Sequence, residues 1–329
     1  MSRRSLQVVR IGGLTLGFEN RCQADLVGPF EAFGSHGRCA SRLTVLDEPG
    51  QAASSQRPLC ESGFWALFEH EGGLRYEAYA RPLFGPTPLL QADLNADWTR
   101  GLLRVDPTCC PTQARLAPIA SPFGELLLVA LLNRHQGLYV HAACVTRNGA
   151  ALLFLGKSGA GKTTLSTLSA RDGAHVLSDD RTALRFQRGR LTAFGTPFHG
   201  TGRQWSAQSA PVRALFFLDH APATETQMLS VAETAARLAA LSFAPFWSRP
   251  GLDEVLRLCE RAACAVPAYS LRFRPDASAL EALDAATQAQ RHLDHRVPAP
   301  PAAARGPAPR RTPAVARTRR LDAPGDPER

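Results

Sequence analysis

One stretch of this chain concentrates residues able to do chemistry: Gly156, Lys157, Ser158, Gly159, Ala160, Gly161, Lys162, Thr163 and Thr164. It matches the pattern G-x-x-x-x-G-K-[ST] in full. The glycines let the backbone curl so that successive N–H groups point inward at an anion, and a following helix adds partial positive charge at its N-terminus. Lys162 carries a charge suited to β- and γ-phosphates, and the Thr163 hydroxyl suits Mg2+. The flanks are those the pattern requires, a strand-like run over Ala150–Leu155 and a helix-like run over Thr163–Ala170. The expectation is a phosphate-binding loop (P-loop) over Gly156–Thr164 that takes ATP with Mg2+.

Composition singles out the same lysine. Among 38 basic residues only Lys157 and Lys162 are lysine; the rest are arginine. A compact ammonium on a flexible stem is needed at position 162, and a planar guanidinium is no substitute. Lys157 occupies a variable position of the loop and is expected to be a solvated charge near the phosphates.

A kinase needs two further parts, an acidic metal ligand and an acceptor for the proton of the attacking hydroxyl. Asp179 and Asp180 are paired acids ending a strand-like run just after the loop helix. One can hold Mg2+ directly or through water while the other points to the opposite side. His141 lies one hairpin upstream of Gly156, which returns it near the loop. A lone strand histidine is more often structural, so His141 is a candidate and no more on this ground.

The elements that must position these residues follow from periodicity and turn chemistry. Residues 1–115 look like a small β-rich domain, with apolar runs at Leu6–Ile11, Leu14–Phe18, Leu43–Leu46, Phe64–Phe68, Leu74–Ala80 and Leu102–Val105 separated by Gly and Pro turns. His36 and His70 stand alone there. After a linker near Cys109-Cys110, a helix capped at Ser121-Pro122 runs nearly apolar all round and stops near Gly137, as a buried helix under the catalytic sheet does. Asn148-Gly149 between two apolar runs predicts a hairpin, which gives the loop strand an antiparallel partner that common P-loop proteins lack. Beyond the aspartates come a hairpin about Arg188-Gly189, a glycine-rich loop Gly195–Gly202 able to lie over a substrate, and a strand Ala214–Asp219. A helical stripe of Val231, Ala235, Leu238 and Leu241, a helix Leu252–Ala263, a strand Pro267–Phe273 and a helix Ala277–His292 complete the order. The expected class is α/β, a P-loop kinase domain over 116–295 with a mixed, partly antiparallel sheet behind the β-rich domain. Residues 296–329 are expected to be a disordered Pro/Arg-rich tail.

Totals limit the function classes. The net charge is +9, but from Pro298 to Arg329 seven arginines stand against three acids, so the tail supplies much of it. No nucleic-acid module is visible. No apolar run is long enough to span a membrane. Eight cysteines show neither a C-x-x-C pair nor zinc spacing, and without a secretory signal they are expected to be reduced, mostly buried thiols of a cytoplasmic protein.

His141, the hairpin, Gly-x-Ser-Gly-x-Gly-Lys-Thr and Ser178-Asp-Asp-Arg181 together resemble the C-terminal domain of HPr kinase/phosphorylase. The form Ser-Gly-x-Gly-Lys-Thr-Thr-Leu also resembles ATP-dependent phosphoenolpyruvate carboxykinase, which shares that nucleotide-binding fold. The likeness covers roughly residues 135 to 290 and is strong over 141 to 181. It implies that Asp180 is the general base, assisted by His141, and that Asp179 helps Thr163 hold the metal. There are departures. The family has an acidic residue where this chain has Thr164, and a Glu-x-Arg-Gly signature where this chain reads Phe198-His-Gly-Thr-Gly-Arg-Gln204 without a carboxylate. The family's own N-terminal domain is not recognisable. The resemblance therefore implies an HPr-kinase-related phosphotransferase acting on Ser or Thr of a small acceptor protein or peptide precursor, with room for a homo-oligomer and no part for nucleic acid or membrane. A small-molecule kinase and a nucleotide-dependent binding module are the alternatives.

Overall fold

Apolar residues alternate in the first third of the chain, and they fold into a sheet with one buried face. The computed structural model describes residues 5–20, 28–52, 56–79, 87–108 and 122–294. Its first sheet contains β1 (Ser5–Ile11), β2 (Leu14–Asn20), β3 (Ser41–Leu46), β4 (Cys60–Glu61), β5 (Trp65–His70), β6 (Gly73–Ala78), β7 (Leu90–Asn95) and β8 (Arg100–Val105). The order is β1-β2-β3-β8-β7-β6-β5-β4, parallel at β2–β3 and β3–β8 and antiparallel elsewhere. Val9, Ile11, Leu16, Phe18, Leu43, Val45 and Leu103 point into one core. Strand β7 was not among the expected strands, although Leu90, Ala92 and Leu94 alternate inward with the required period. His70 does not stand alone: its Nε2 lies 2.7 Å from the Arg75 guanidinium and 3.7 Å from Asp93.

α1 (Pro122–Arg134) is buried along nearly its whole length because it is covered twice. Its side chains share one core with the first sheet and, on the other side, with Tyr139, Ala183, Phe194 and Phe198. The helix thus lies between two sheets, rather than under one. It ends at Arg134, close to the expected stop near Gly137; Gln136 turns the chain at φ 57° and Gly137 opens the next strand. Its expected cap Ser121, the Cys109-Cys110 linker and both expected domain boundaries fall outside the described residues.

The second sheet is mixed and covered on both faces. It contains β9 (Gly137–Arg147), β10 (Ala150–Leu155), β11 (His175–Ser178), β12 (Arg181–Gln187), β13 (Arg190–Phe194), β14 (Ser209–His220), β15 (Glu225–Met228), β16 (Ser242–Phe243) and β17 (Ala268–Phe273). The helices are α2 (Lys162–Arg171), α3 (Val231–Ala240), α4 (Arg249–Ala265) and α5 (Ala277–Asp294). Asn148 and Gly149 take φ 52° and 74°, the two positive values a tight hairpin turn requires, and β9 and β10 pair antiparallel as expected. On its other side β10 pairs parallel with β14. The long strands β9 and β14 bend from one pairing set to another, and the ladders close as β9–β12–β13–β14–β10–β9. Leu153 and Leu155 of β10 pack with α3 and α4, while Leu152 and Phe154 pack with α2 and α5. The expected α3 stripe holds only in part, since Leu238 is buried but Val231 is half exposed.

Both sheets belong to one compact unit ending at Gln290. The tail from 296 lies outside the described residues. Among the described cysteines, Cys144 and Cys259 are buried free thiols as expected, whereas Cys39 and Cys60 are partly exposed and Cys264 is exposed; Cys22, Cys109 and Cys110 lie outside the described residues. No helix among the described residues is long and apolar enough to cross a membrane.

Candidate functional site

The carboxyl ends of β10 and β14 open into a cavity of about 480 Å³, the place where ligands bind in open α/β sheets. Its walls come from Ser158, Gly159, Gly161, Lys162, Thr163 and Thr164 on one side and His141, Asp180, Arg181, Gly200, Thr201 and His220 on the other. The turn from Gly156 to Gly161 is tight at both ends, where an added Cβ would stand 2.6 Å from Ala160 at Gly156, and Gly161 also takes a left-handed backbone. That residue has φ 94° and lies against Phe273, whose ring would be 2.6 Å from an added Cβ. Only glycine fits there, and α2 begins at the next residue.

Three sequence-expected residues meet in this cavity. His141 ends the β12-paired part of β9, directly opposite Arg181, which puts it beside Asp180. Its Nε2 lies 2.8 Å from Asp180 Oδ1 and 3.0 Å from Lys162 Nζ. One ring nitrogen cannot donate to Asp180 and accept from Lys162 at once. Burial works to raise the Asp180 carboxyl, but the His141 hydrogen bond and the charges of Arg181 and Lys162 outweigh it and hold the carboxyl below its ordinary range. Asp180 is therefore ionised at neutral pH, and Nε2 carries the proton it donates. The Lys162 ammonium is satisfied by the carbonyls of Gly156 at 2.8 Å and Lys157 at 3.2 Å, with Asp180 Oδ1 at 3.6 Å. Burial lowers its pKa, against the pull of Asp180.

Asp179 and Asp180 do not continue β11 but form the bend into β12, and they part company. Asp180 faces the cavity. Asp179 is buried beneath the Gly195–Gly202 loop, where its Oδ1 accepts from the Gly200 N–H at 2.9 Å and its Oδ2 has no hydrogen-bond partner. Gly202 seals that spot: a Cβ there would stand 2.7 Å from Asp179 Oδ2 and 3.2 Å from the Thr163 methyl carbon. The loop therefore lies on the two aspartates, and Thr163 and Asp179 adjoin the same backbone.

The other expected residues divide. Ser158, Gly159, Thr163 and Thr164 line the cavity. Gly156 and Ala160 sit behind the wall, and Lys157 is exposed, contributing its carbonyl to Lys162. Sequence reasoning passed over Arg181 and His220 as site residues. Arg181 grips Asp180 Oδ2, reaches Glu125 of α1 at 3.3 Å, and lies 4.7 Å over the Phe243 ring. Burial raises the Glu125 carboxyl, partly offset by Arg181. His220 is the last residue of β14, and its Nε2–H donates to the Gly159 carbonyl at 2.8 Å. In the sequence it shows only as the residue after the strand-like run Ala214–Asp219; that this strand lies parallel to β10 is set by the tertiary structure.

Comparison with known proteins adds three findings. The model of a family described as "SynChlorMet cassette protein ScmC" matches residues 124–272. No curated protein matches the chain. Among solved structures, the Hpr(Ser) kinase/phosphatase from Coxiella burnetii is similar over 48% of this chain and 92% of its own, with 13% identity and a TM-score of 0.27.

Proposed function

We propose that this protein is an ATP-dependent kinase that transfers the γ-phosphoryl group to a Ser or Thr hydroxyl of a small protein or peptide. The observation that carries this reading is the meeting of Lys162, His141 and Asp180 in one cavity, beside a glycine turn that opens a helix. The turn and the α2 N-terminus suit phosphate oxygens, and Lys162 supplies the matching charge. Asp180 is the proton acceptor, with Oδ1 fixed by His141 and Oδ2 by Arg181. With these donors and Lys162 around it, Asp180 is a weak base. A phosphate oxygen that competes for Lys162 removes one of them and raises the basicity of Asp180 when the nucleotide is in place.

The residues also suit Mg2+. Asp179 Oδ2 is a buried carboxylate oxygen without a partner, and the Thr163 hydroxyl belongs to the residue it adjoins through Gly202. Among the described residues no group of three or more His, Cys, Asp or Glu is placed to cage a metal. Mg2+ takes one or two carboxylates and completes its shell with phosphate and water, so such a donor set fits it. Bound there, Mg2+ would neutralise charge on the transferred phosphoryl group; Thr163 and Asp179 would hold it.

The strong engagement of Asp180 also favours a second reading, a nucleotide-dependent binding module with little catalysis. The test is transfer of labelled γ-phosphate from ATP to a Ser/Thr peptide pool, alongside calorimetric titration of ATP with Mg2+. Transfer that depends on Asp180 supports the kinase. Tight ATP binding without transfer to any hydroxyl supports the module, and no binding at all removes both.

A further inference from the structure

A second concave site lies on the open face of the first sheet and has no part in the cavity just described. Arg38, Arg42 and Arg100 border a depression of about 650 Å³, with Thr44, Thr99 and Gly101 between them. Arg42 of β3 and Arg100 of β8 stand directly opposite each other in the parallel ladder, so their side chains leave the same face of the sheet. Like charges facing across a strand pair destabilise a sheet unless an anion lies between them.

Other arginines on the same face are paired with carboxylates. Arg75 and Arg104 are held by Asp93 at 2.5 and 2.6 Å, and Arg104 also reaches Glu48 at 3.0 Å. Arg38, Arg42 and Arg100 have no carboxylate partner among the described residues, and all three are exposed.

We propose that this depression is a docking site for an acidic stretch of a polypeptide partner, whose carboxylates bridge Arg42 and Arg100. Guanidinium groups pair with carboxylates through two parallel hydrogen bonds, and the threonine hydroxyls between them suit a peptide backbone. A single small anion would leave most of this volume unfilled, whereas a segment with several carboxylates fills it. The arginines are confined to this one depression, and the next arginine along β8, Arg104, is neutralised by Asp93 and Glu48, which disfavours the long phosphate track a nucleic acid requires. The proposal is independent of the kinase reading.

The test uses the full chain and a short fluorescein-labelled poly-glutamate peptide, with binding read by fluorescence anisotropy at low and moderate salt. Arg42→Ala with Arg100→Ala should weaken binding by about tenfold or more, and Arg42→Lys with Arg100→Lys should recover part of the loss. Arg190→Ala, which removes an exposed charge from the other sheet, should change it little. The Arg42/Arg100 double alanine variant should keep or raise its thermal midpoint, because like-charge repulsion is relieved. An equal loss in Arg190→Ala overturns the proposal in favour of general attraction by net charge. Displacement by inorganic phosphate alone at low concentration overturns it in favour of a small-anion site. Tighter, arginine-dependent binding of a single-stranded oligonucleotide overturns it in favour of nucleic acid, and no binding by the wild-type chain overturns it outright.

Discussion

The two sheets use strands of similar composition for different ends, and the contrast is clearest in their central strands. In β3, Leu43 and Val45 are buried while Arg42, which alternates to the opposite face, is exposed. In β9, Ala143 and Cys144 are both buried although they point to opposite faces. Among the described residues, the first sheet has a helix, α1, on one side only; the second has α3 and α4 on one face and α2 and α5 on the other. A one-sided sheet advertises its inner face by alternation and keeps a wet face. A two-sided sheet hides its faces, and its polar groups collect where strands end.

The largest expected effects break this division if they fail. Lys162→Ala should abolish phosphotransfer and weaken ATP binding, whereas Arg42→Ala on the open face should leave both intact. Asp180→Asn should lower kcat by about a hundredfold or more with ATP affinity nearly unchanged. The measurement is steady-state phosphotransfer with titrated Mg2+. If Asp180→Asn keeps its rate and Asp179→Asn loses it at saturating metal, the two carboxylates have exchanged roles.

Next comes the helix the sheets share. Phe123 of α1 is fully buried in the core common to both sheets. Phe123→Ala should cost about 3–5 kcal/mol, read by denaturant unfolding. Tryptophan fluorescence from Trp65, Trp98, Trp205 and Trp247 and far-UV circular dichroism should report one coincident transition. Two separated transitions would show that the sheets fold as independent units.

Polar substitutions sharpen the comparison at smaller scale. Val145→Thr and Cys144→Ser, on opposite faces of β9, should each cost about 1–3 kcal/mol because both bury a hydroxyl. Leu102→Thr, on the open face of β8, should change stability by about 0.5 kcal/mol or less. A large loss at Leu102 would mean that something covers that face.

The smallest effects are those of pH. Asp93 lies in β7 of the first sheet and Asp180 at the bend that enters β12 of the second. Burial tends to raise both carboxyls, but Arg75 and Arg104 lower Asp93, and His141, Arg181 and Lys162 lower Asp180. A carboxyl with a lowered folded pKa adds stability that is fully present above its unfolded value of about 3.9 and fades as pH falls through the folded value. Asn at either position should flatten the acid slope of stability. Only at the second site should activity follow: His141→Ala removes a donor to Asp180 and should move the acid limb of the rate profile upward. An unmoved limb would separate His141 from the carboxylate it touches.

Much of this protein is written in short stretches of chain. The turn at Asn148-Gly149, the turn at Arg188-Gly189, the glycines before α2 and the inward alternation of β1 and β2 depend on neighbours in sequence, so local sterics and periodicity determine them. The same locality exposed Lys162 and the Asp179-Asp180 pair, and a hairpin was enough to bring His141 near. What the tertiary structure decided lies at contacts between distant segments. It put His220 on the Gly159 carbonyl, Arg181 between Asp180 and Glu125, Gly202 over Asp179, and Arg42 opposite Arg100. Each depends on the register of strands joined late in the chain or on a helix packed between two sheets. No window of sequence contains both partners of such a contact, and only the closed ladders and shared core fix which side chains meet.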